Sequence, residues 1–140
     1  VARLTGYKQA LLKYDFPIID DYMVNPKAKD QIDQIILQFM ELKTPPTAIV
    51  VTDDLVALKV LQVCRKEEIE VPKELSIISF NNSIIAQVST PELTSVDTQV
   101  FQLGYEAAKC LIEEINEPSA YKKSIIIPTV IKERESCEKL

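Results

Sequence analysis

The feature that most constrains this chain is an alternation of two hydrophobic periods. Three short apolar-rich runs stand apart, Ala48-Ile49-Val50-Val51, Leu75-Ser76-Ile77-Ile78-Ser79-Phe80 and Leu93-Thr94-Ser95-Val96. Each is too short for a helix and reads as a strand, the unbroken Ala48–Val51 run as one covered on both faces. Between and around them, apolar residues recur at helical spacing. Ile32, Ile35, Ile36, Phe39 and Met40 fall at i, i+3, i+4, i+7 and i+8, behind an N-cap and first-turn proline at Asn25-Pro26, and Thr44-Pro45-Pro46 stops them. A further helix, from about Leu55 to Glu68, is apolar over a wide arc of Leu55, Val56, Leu58, Val60, Leu61, Val63 and Cys64. Part of that arc is expected to meet a partner. Strands alternating with helices predict an α/β fold with a mostly parallel sheet and right-handed crossovers.

The flanks are read the same way. Leu4, Tyr7, Leu11 and Leu12 predict an opening helix, and Pro17-Ile18-Ile19-Asp20-Asp21-Tyr22 a short strand or extended segment. Val71-Pro72 ends the helical region before Leu75, and the stretch holding Ala86 and Val88 shows no defined element. Val100, Leu103, Ala107, Leu111 and Ile115 mark a helix that stops at Asn116-Glu117-Pro118. Ile125–Ile127 and Thr129–Ile131 follow, broken by Pro128. The tail from Lys132 to Leu140 mixes cations and anions and is expected to be a solvated end.

Composition removes whole classes of function. The 140 residues, a length that can bury a real core, include no His, so neither a Ser-His-Asp or Cys-His apparatus nor an imidazole metal site can be built. With only Gly6 and Gly104, far apart, neither a Walker loop nor a G-x-G-x-x-G turn can be assembled, and no nucleotide cofactor is expected. Cys64, Cys110 and Cys137 match no thiolate metal spacing; they are expected to be reduced thiols in a cytoplasmic protein, the first two as small core hydrophobes. A net charge of −5 argues against gripping nucleic acid through its phosphates within this stretch. No apolar run is long enough to span a membrane, no charged-then-apolar leader opens the chain, and a start at Val1 suggests a fragment.

In an open parallel sheet, ligands sit outside the carboxyl ends of the strands. The residues just after the apolar runs are Tyr22, Asp53, Asn81 and Asp97. Carboxylates and amides that hold hydroxyls, with a ring that covers a sugar face, suit a polyhydroxylated ligand. The same residue types also cap helices, and Asp54 in front of Leu55 is placed to do only that. An Asp53-Asp54 pair could hold Mg²⁺ in a phospho-accepting receiver domain. That site wants a separate Asp and a Lys after other strands, and the candidates here are Asn81 and Asp97, with no Lys. No pair of carboxyls points to glycosidase chemistry. The chain is expected to bind rather than to catalyse.

Several segments in order resemble the C-terminal part of the effector-binding core of the LacI/GalR family of bacterial transcriptional regulators. They are Arg3-Leu4-Thr5-Gly6-Tyr7-Lys8-Gln9-Ala10-Leu11, Pro46–Leu58 with Thr52-Asp53-Asp54 inside it, Val71–Asn82, and Thr90-Pro91-Glu92-Leu93-Thr94-Ser95-Val96. Gly104 and the ending of Pro128 and Lys132–Ser136 continue the likeness. The resemblance implies a periplasmic-binding-protein-like type I fold, a three-layer sandwich, of which this chain is a C-terminal subdomain fragment. Residues 1–97 and 125–140 would form that subdomain, and residues 98–124 a crossover helix region belonging to a missing N-terminal subdomain. It further implies that Arg3 holds effector oxygens through its fork, that Asp53 and Asn81 line the ligand, and that Tyr22 lies near a stacking aromatic. Asn81 stands where the family usually has a carboxylate. The implied partners are a sugar effector, a second copy in a homodimer, and operator DNA through a headpiece outside this chain. A general likeness to maltose-operon repressors points to maltose or a related glucoside, and an exported sugar-binding protein of the same fold is the alternative.

Overall fold

The computed structural model describes residues 2–25 and 31–139. In chain order they form α1 (Ala2–Lys13), a 3-10 turn (Asp20–Tyr22), α2 (Ile32–Met40), β1 (Ala48–Val50), α3 (Asp54–Lys66) and β2 (Ser76–Phe80). Then come α4 (Ile84–Val88), β3 (Thr94–Asp97), α5 (Val100–Asn116) and β4 (Val130–Lys132). The sheet order is β1-β2-β3-β4, with the first three strands parallel and β4 antiparallel to β3. This is the mostly parallel α/β sheet that the alternating periods predict. The proline proposed to start α2, Pro26, lies outside the described residues.

Strand alternation separates the two faces of the sheet. Ile77 and Ser79 of β2 are fully buried, and Ser79, in register with Ser95 of β3, donates to Asp54 at the start of α3. That side therefore carries α3. Phe80, one residue on, faces the other way and meets Arg3 of α1. The α3 face holds the core: Ala57, Val60, Leu61 and Cys64, at i, i+3, i+4 and i+7, cluster with Ile32, Ile36 and Phe39 of α2 and with Leu75, Ile77, Ala86 and Leu93. Each large aliphatic side chain buried in this way contributes about 1.5–3 kcal/mol. Most of the wide apolar arc of α3 is thus consumed inside the chain, and of its large apolar residues Leu55 is the one left exposed.

Several expectations are corrected. β1 is not covered on both faces: Val50 is 55% exposed and Ala48 is exposed, because β1 is the edge strand and α1, on the Phe80 side, buries none of its own side chains. Pro17–Tyr22 forms no strand. Its end closes into a 3-10 turn through Tyr22 N–H to Ile19 O and Met23 N–H to Asp20 O. The stretch around Ala86 is a short helix, α4, with Ala86 buried. Of the two closing apolar runs, the second joins the sheet, as Val130–Lys132.

The tail is not a solvated end. Ser136 is fully buried; its hydroxyl donates to Ile77 O at 2.6 Å and accepts from Thr94 N–H at 2.8 Å, while its backbone pairs with Ile77 and Glu92. A small hydroxyl can pass into the sheet because it satisfies both groups that it meets. α5 is the opposite case: no residue of it is buried, and Val100, Leu103, Leu111 and Ile115 of its apolar stripe are exposed. Cys110 on α5 is accordingly half-buried rather than a core residue, whereas Cys64 is in the core, where burial pushes its thiol up to about 11.

Candidate functional site

The carboxyl ends of β1, β2 and β3 deliver Thr52-Asp53, Asn81-Asn82 and Asp97 to one rim, as a parallel sheet must. α1 brings Arg3 to the same rim. One Arg3 guanidinium nitrogen donates to Thr52 O and the other to Asn81 Oδ1 at 3.4 Å, and the group lies 4.4 Å from the Phe80 ring centre. Stacking on Phe80 flattens the guanidinium against the sheet, so that its edge bridges the ends of two adjacent strands. Arg3 and Asn81 are both exposed and Asp53 is half-buried, which leaves their free hydrogen-bonding capacity open to solvent at the rim.

The paired aspartates divide two jobs, with roles reversed from the sequence expectation. Asp53, in extended backbone, caps α3: its Oδ1 accepts from Val56 N–H at 2.9 Å, and Thr52 Oγ1 stands 3.4 Å from Oδ2. Asp54 is 2% exposed and anchors the rim from below. Its Oδ1 accepts from Ser79 Oγ at 2.6 Å and Ser95 Oγ at 2.8 Å, and its Oδ2 from Ser83 N–H at 2.6 Å. Burial pushes this carboxyl up, but the bonds from Ser79, Ser83 and Ser95 outweigh it and hold the group below its ordinary value.

The loop that Asp54 anchors is unusual in its backbone. Asn81 and Asn82 both have positive φ, 98° and 48°, a region that asparagine tolerates better than most residues. Asn81 N–H donates to Val96 O at 2.9 Å and Asn82 N–H to Ser95 Oγ at 3.0 Å, so β3 fixes the turn. The Asn82 side chain accepts from Arg134 Nη2 at 2.5 Å and donates to Asp97 Oδ2 at 3.1 Å. The rim is therefore a polar lattice of donors and acceptors, and among the described residues no group of His, Cys, Asp and Glu could hold a metal ion.

Of the sequence candidates, Arg3, Asn81 and Asp53 come together. Tyr22 does not join them. Its hydroxyl donates to Thr44 O at 2.6 Å, ahead of β1, at the end of that strand opposite Asp53. Asp54, Asn82 and Arg134 were missed. Asp54 had a signal, because it continues the buried α3 stripe backwards by three residues from Ala57, and a carboxylate on a core-facing stripe needs partners. Arg134 had none, since its partner Asn82 is 52 positions away.

Among known protein families, the periplasmic binding protein-like domain matches residues 1–137. The chain belongs to that family. The HTH-type transcriptional regulator EndR of Paenibacillus polymyxa is 30% identical over 142 residues, 99% of this chain and 42% of that protein. The NTD biosynthesis operon regulator NtdR of Bacillus subtilis is 33% identical, over 96% of this chain and 41% of its own length. Among solved structures, a protein of Bacillus cereus subsp. cytotoxis described as a LacI transcriptional regulator superposes with a TM-score of 0.87 at 39% identity, over 97% of this chain and 49% of that one. This periplasmic binding protein-like domain thus spans less than half the length of these three relatives, which are described as transcriptional regulators.

Proposed function

We propose that this chain is the effector-sensing and dimerisation part of a bacterial LacI-type transcriptional repressor, and that its effector is a small sugar. The observation that carries the reading is the position of Arg3. A fork of donors spans the ends of β1 and β2 beside Asp53 and Asn81, and adjacent hydroxyls of a sugar match alternating donors and acceptors at that spacing. The family match supplies the context. Asn81, an amide, both donates and accepts, so it favours a neutral hydroxylated ligand over a cation.

In this reading, residues 98–124 reach into an N-terminal subdomain, whose packing would cover the exposed apolar stripe of α5. A sugar held between that subdomain and the Arg3 rim would favour the closed arrangement by its differential affinity for it. Closure, passed through a homodimer that uses the exposed part of α3 around Leu55, would alter the spacing of DNA-binding headpieces. The net charge of −5 fits a part that leaves operator contact to such a headpiece. The protein would act in the cytoplasm and transform no substrate.

The sequence encoded upstream of Val1 provides the test. A helix-turn-helix there, with operator binding that maltose, a related glucoside or another sugar releases in a mobility-shift titration, is the expected result. A secretion signal would overturn the regulator in favour of an exported sugar-binding protein.

A further inference from the structure

We propose that Asn82, Asp97 and Gln99 are positioning residues that form a polar latch, tying the Asn81 rim to the root of the arm that carries α5. The arm leaves the sheet after Asp97 and returns at Val130, and these two residues are register partners across β3 and β4. Within this chain α5 buries none of its residues, so packing against the rest of the chain does not set its direction. The root has to set it.

Three side-chain hydrogen bonds hold that root. Asp97 Oδ1 accepts from Gln99 N–H at 2.7 Å, and Gln99 Nε2 donates across to Pro128 O at 2.9 Å, clamping the outgoing and returning strands together. Gln99 itself has φ 51°, the left-handed turn that swings the chain from β3 into α5. The second oxygen of Asp97 accepts from Asn82 Nδ2 at 3.1 Å. One rigid carboxylate thus serves the rim loop with one oxygen and the arm root with the other, so that a tilt that follows one partner strains the bond to the other.

The rim end of the latch is equally fixed. Asn82 is held by Arg134 on its carbonyl oxygen and by Ser95 on its amide N–H, and it follows directly on Asn81, which meets Arg3. A shift of the Asn81 backbone therefore moves Asn82, which pulls on Asp97 and on Gln99. The purpose of the latch rests on the proposed ligand-sensing role. Its test is run without ligand, so a failure of sugar binding and a failure of the latch give different results.

The experiment is residue-resolved amide hydrogen exchange on the full chain. Asn82→Asp keeps the acceptor for Arg134 but sets a carboxylate against Asp97, and should speed exchange at Gln99 by about three- to tenfold, the factor expected for one lost hydrogen bond. The reciprocal pair Asn82→Asp with Asp97→Asn restores an amide-to-carboxylate bond and should return exchange to the parent rate. Gln99→Ala, which touches only the arm root, should speed exchange at the Asn82 N–H in turn, since coupling between two sites is reciprocal. Amides of α3, such as Ala57, report that the fold is intact in each variant. Failure of the double variant to recover, or an Asn82 amide indifferent to Gln99→Ala, would overturn the latch.

Discussion

Asp54→Ala should be the most damaging single polar substitution in the chain. The carboxylate is 2% exposed and takes hydrogen bonds from Ser79, Ser95 and the Ser83 N–H at 2.6, 2.8 and 2.6 Å. Hydrogen bonds to a charged group contribute about 1.5–3 kcal/mol each and do not simply add. Ser79 has a weak second acceptor in Thr94 O at 3.5 Å, whereas the Ser83 N–H gives its bond to Asp54 Oδ2. A loss of about 3–5 kcal/mol follows, a large share of the roughly 5–15 kcal/mol that domains possess. In urea, at about 1–3 kcal/mol per molar, the unfolding midpoint should fall by about 2 M. Asp54→Asn should lose less, about 1.5–3 kcal/mol, because one oxygen can still receive both serine hydroxyls while the amide confronts the Ser83 N–H. The pH dependence has a definite sign. The folded carboxyl lies below its ordinary value of 3.8, so its stabilisation is complete above that value and is lost as pH falls through the folded value. The parent should therefore lose stability on acidification more steeply than Asp54→Asn. An unfolding free energy for Asp54→Ala within about 0.5 kcal/mol of the parent would refute the anchoring role.

Other outcomes follow from the same structure. Ser136→Ala should cost about 1–3 kcal/mol in the same urea assay, because it leaves Thr94 N–H without its buried acceptor and Ile77 O with only the weak thiol donor of Cys137; an unchanged midpoint would restore the picture of a solvated tail. Cys64, buried and with its thiol pushed up to about 11, should react with a disulfide reagent at pH 8 only on unfolding, while Cys110 and Cys137 react in the native chain; three equally fast thiols would contradict its placement. In the proposed dimer, Leu55→Glu should give monomers in sedimentation velocity, and a persistent dimer would move the interface away from α3.

The parts of the fold legible in the sequence were those set by periodicity. Val60, Leu61, Val63 and Cys64 of the α3 arc and the runs that became β2 and β3 are buried as their periods led one to expect. What periodicity does not carry is position within the sheet. Ala48–Val51 is apolar enough for a central strand, but its place at the edge leaves Val50 exposed. Ser136 and Arg134 were misread for the converse reason, since polar residues enter a sheet when backbone groups of distant strands need them. At the site, residue types after the strands gave Asp53 and Asn81, and the resemblance to the LacI/GalR family gave Arg3. The phase of each turn decided the rest. A shift of one residue in the start of α3 exchanges the cap and the buried anchor between Asp53 and Asp54. The closure of Asp20–Tyr22 into a 3-10 turn sends Tyr22 to Thr44 instead of the rim.

The central claim is that the Arg3 rim binds a small hydroxylated effector. Isothermal titration of the complete protein with maltose and a panel of mono- and disaccharides, repeated with Arg3→Ala, tests it most directly. Saturable binding of one sugar is expected, weakened in Arg3→Ala by about 2–3 kcal/mol, on the order of 30- to 150-fold, as for a lost charged hydrogen bond. Equal affinity in the parent and in Arg3→Ala would contradict it.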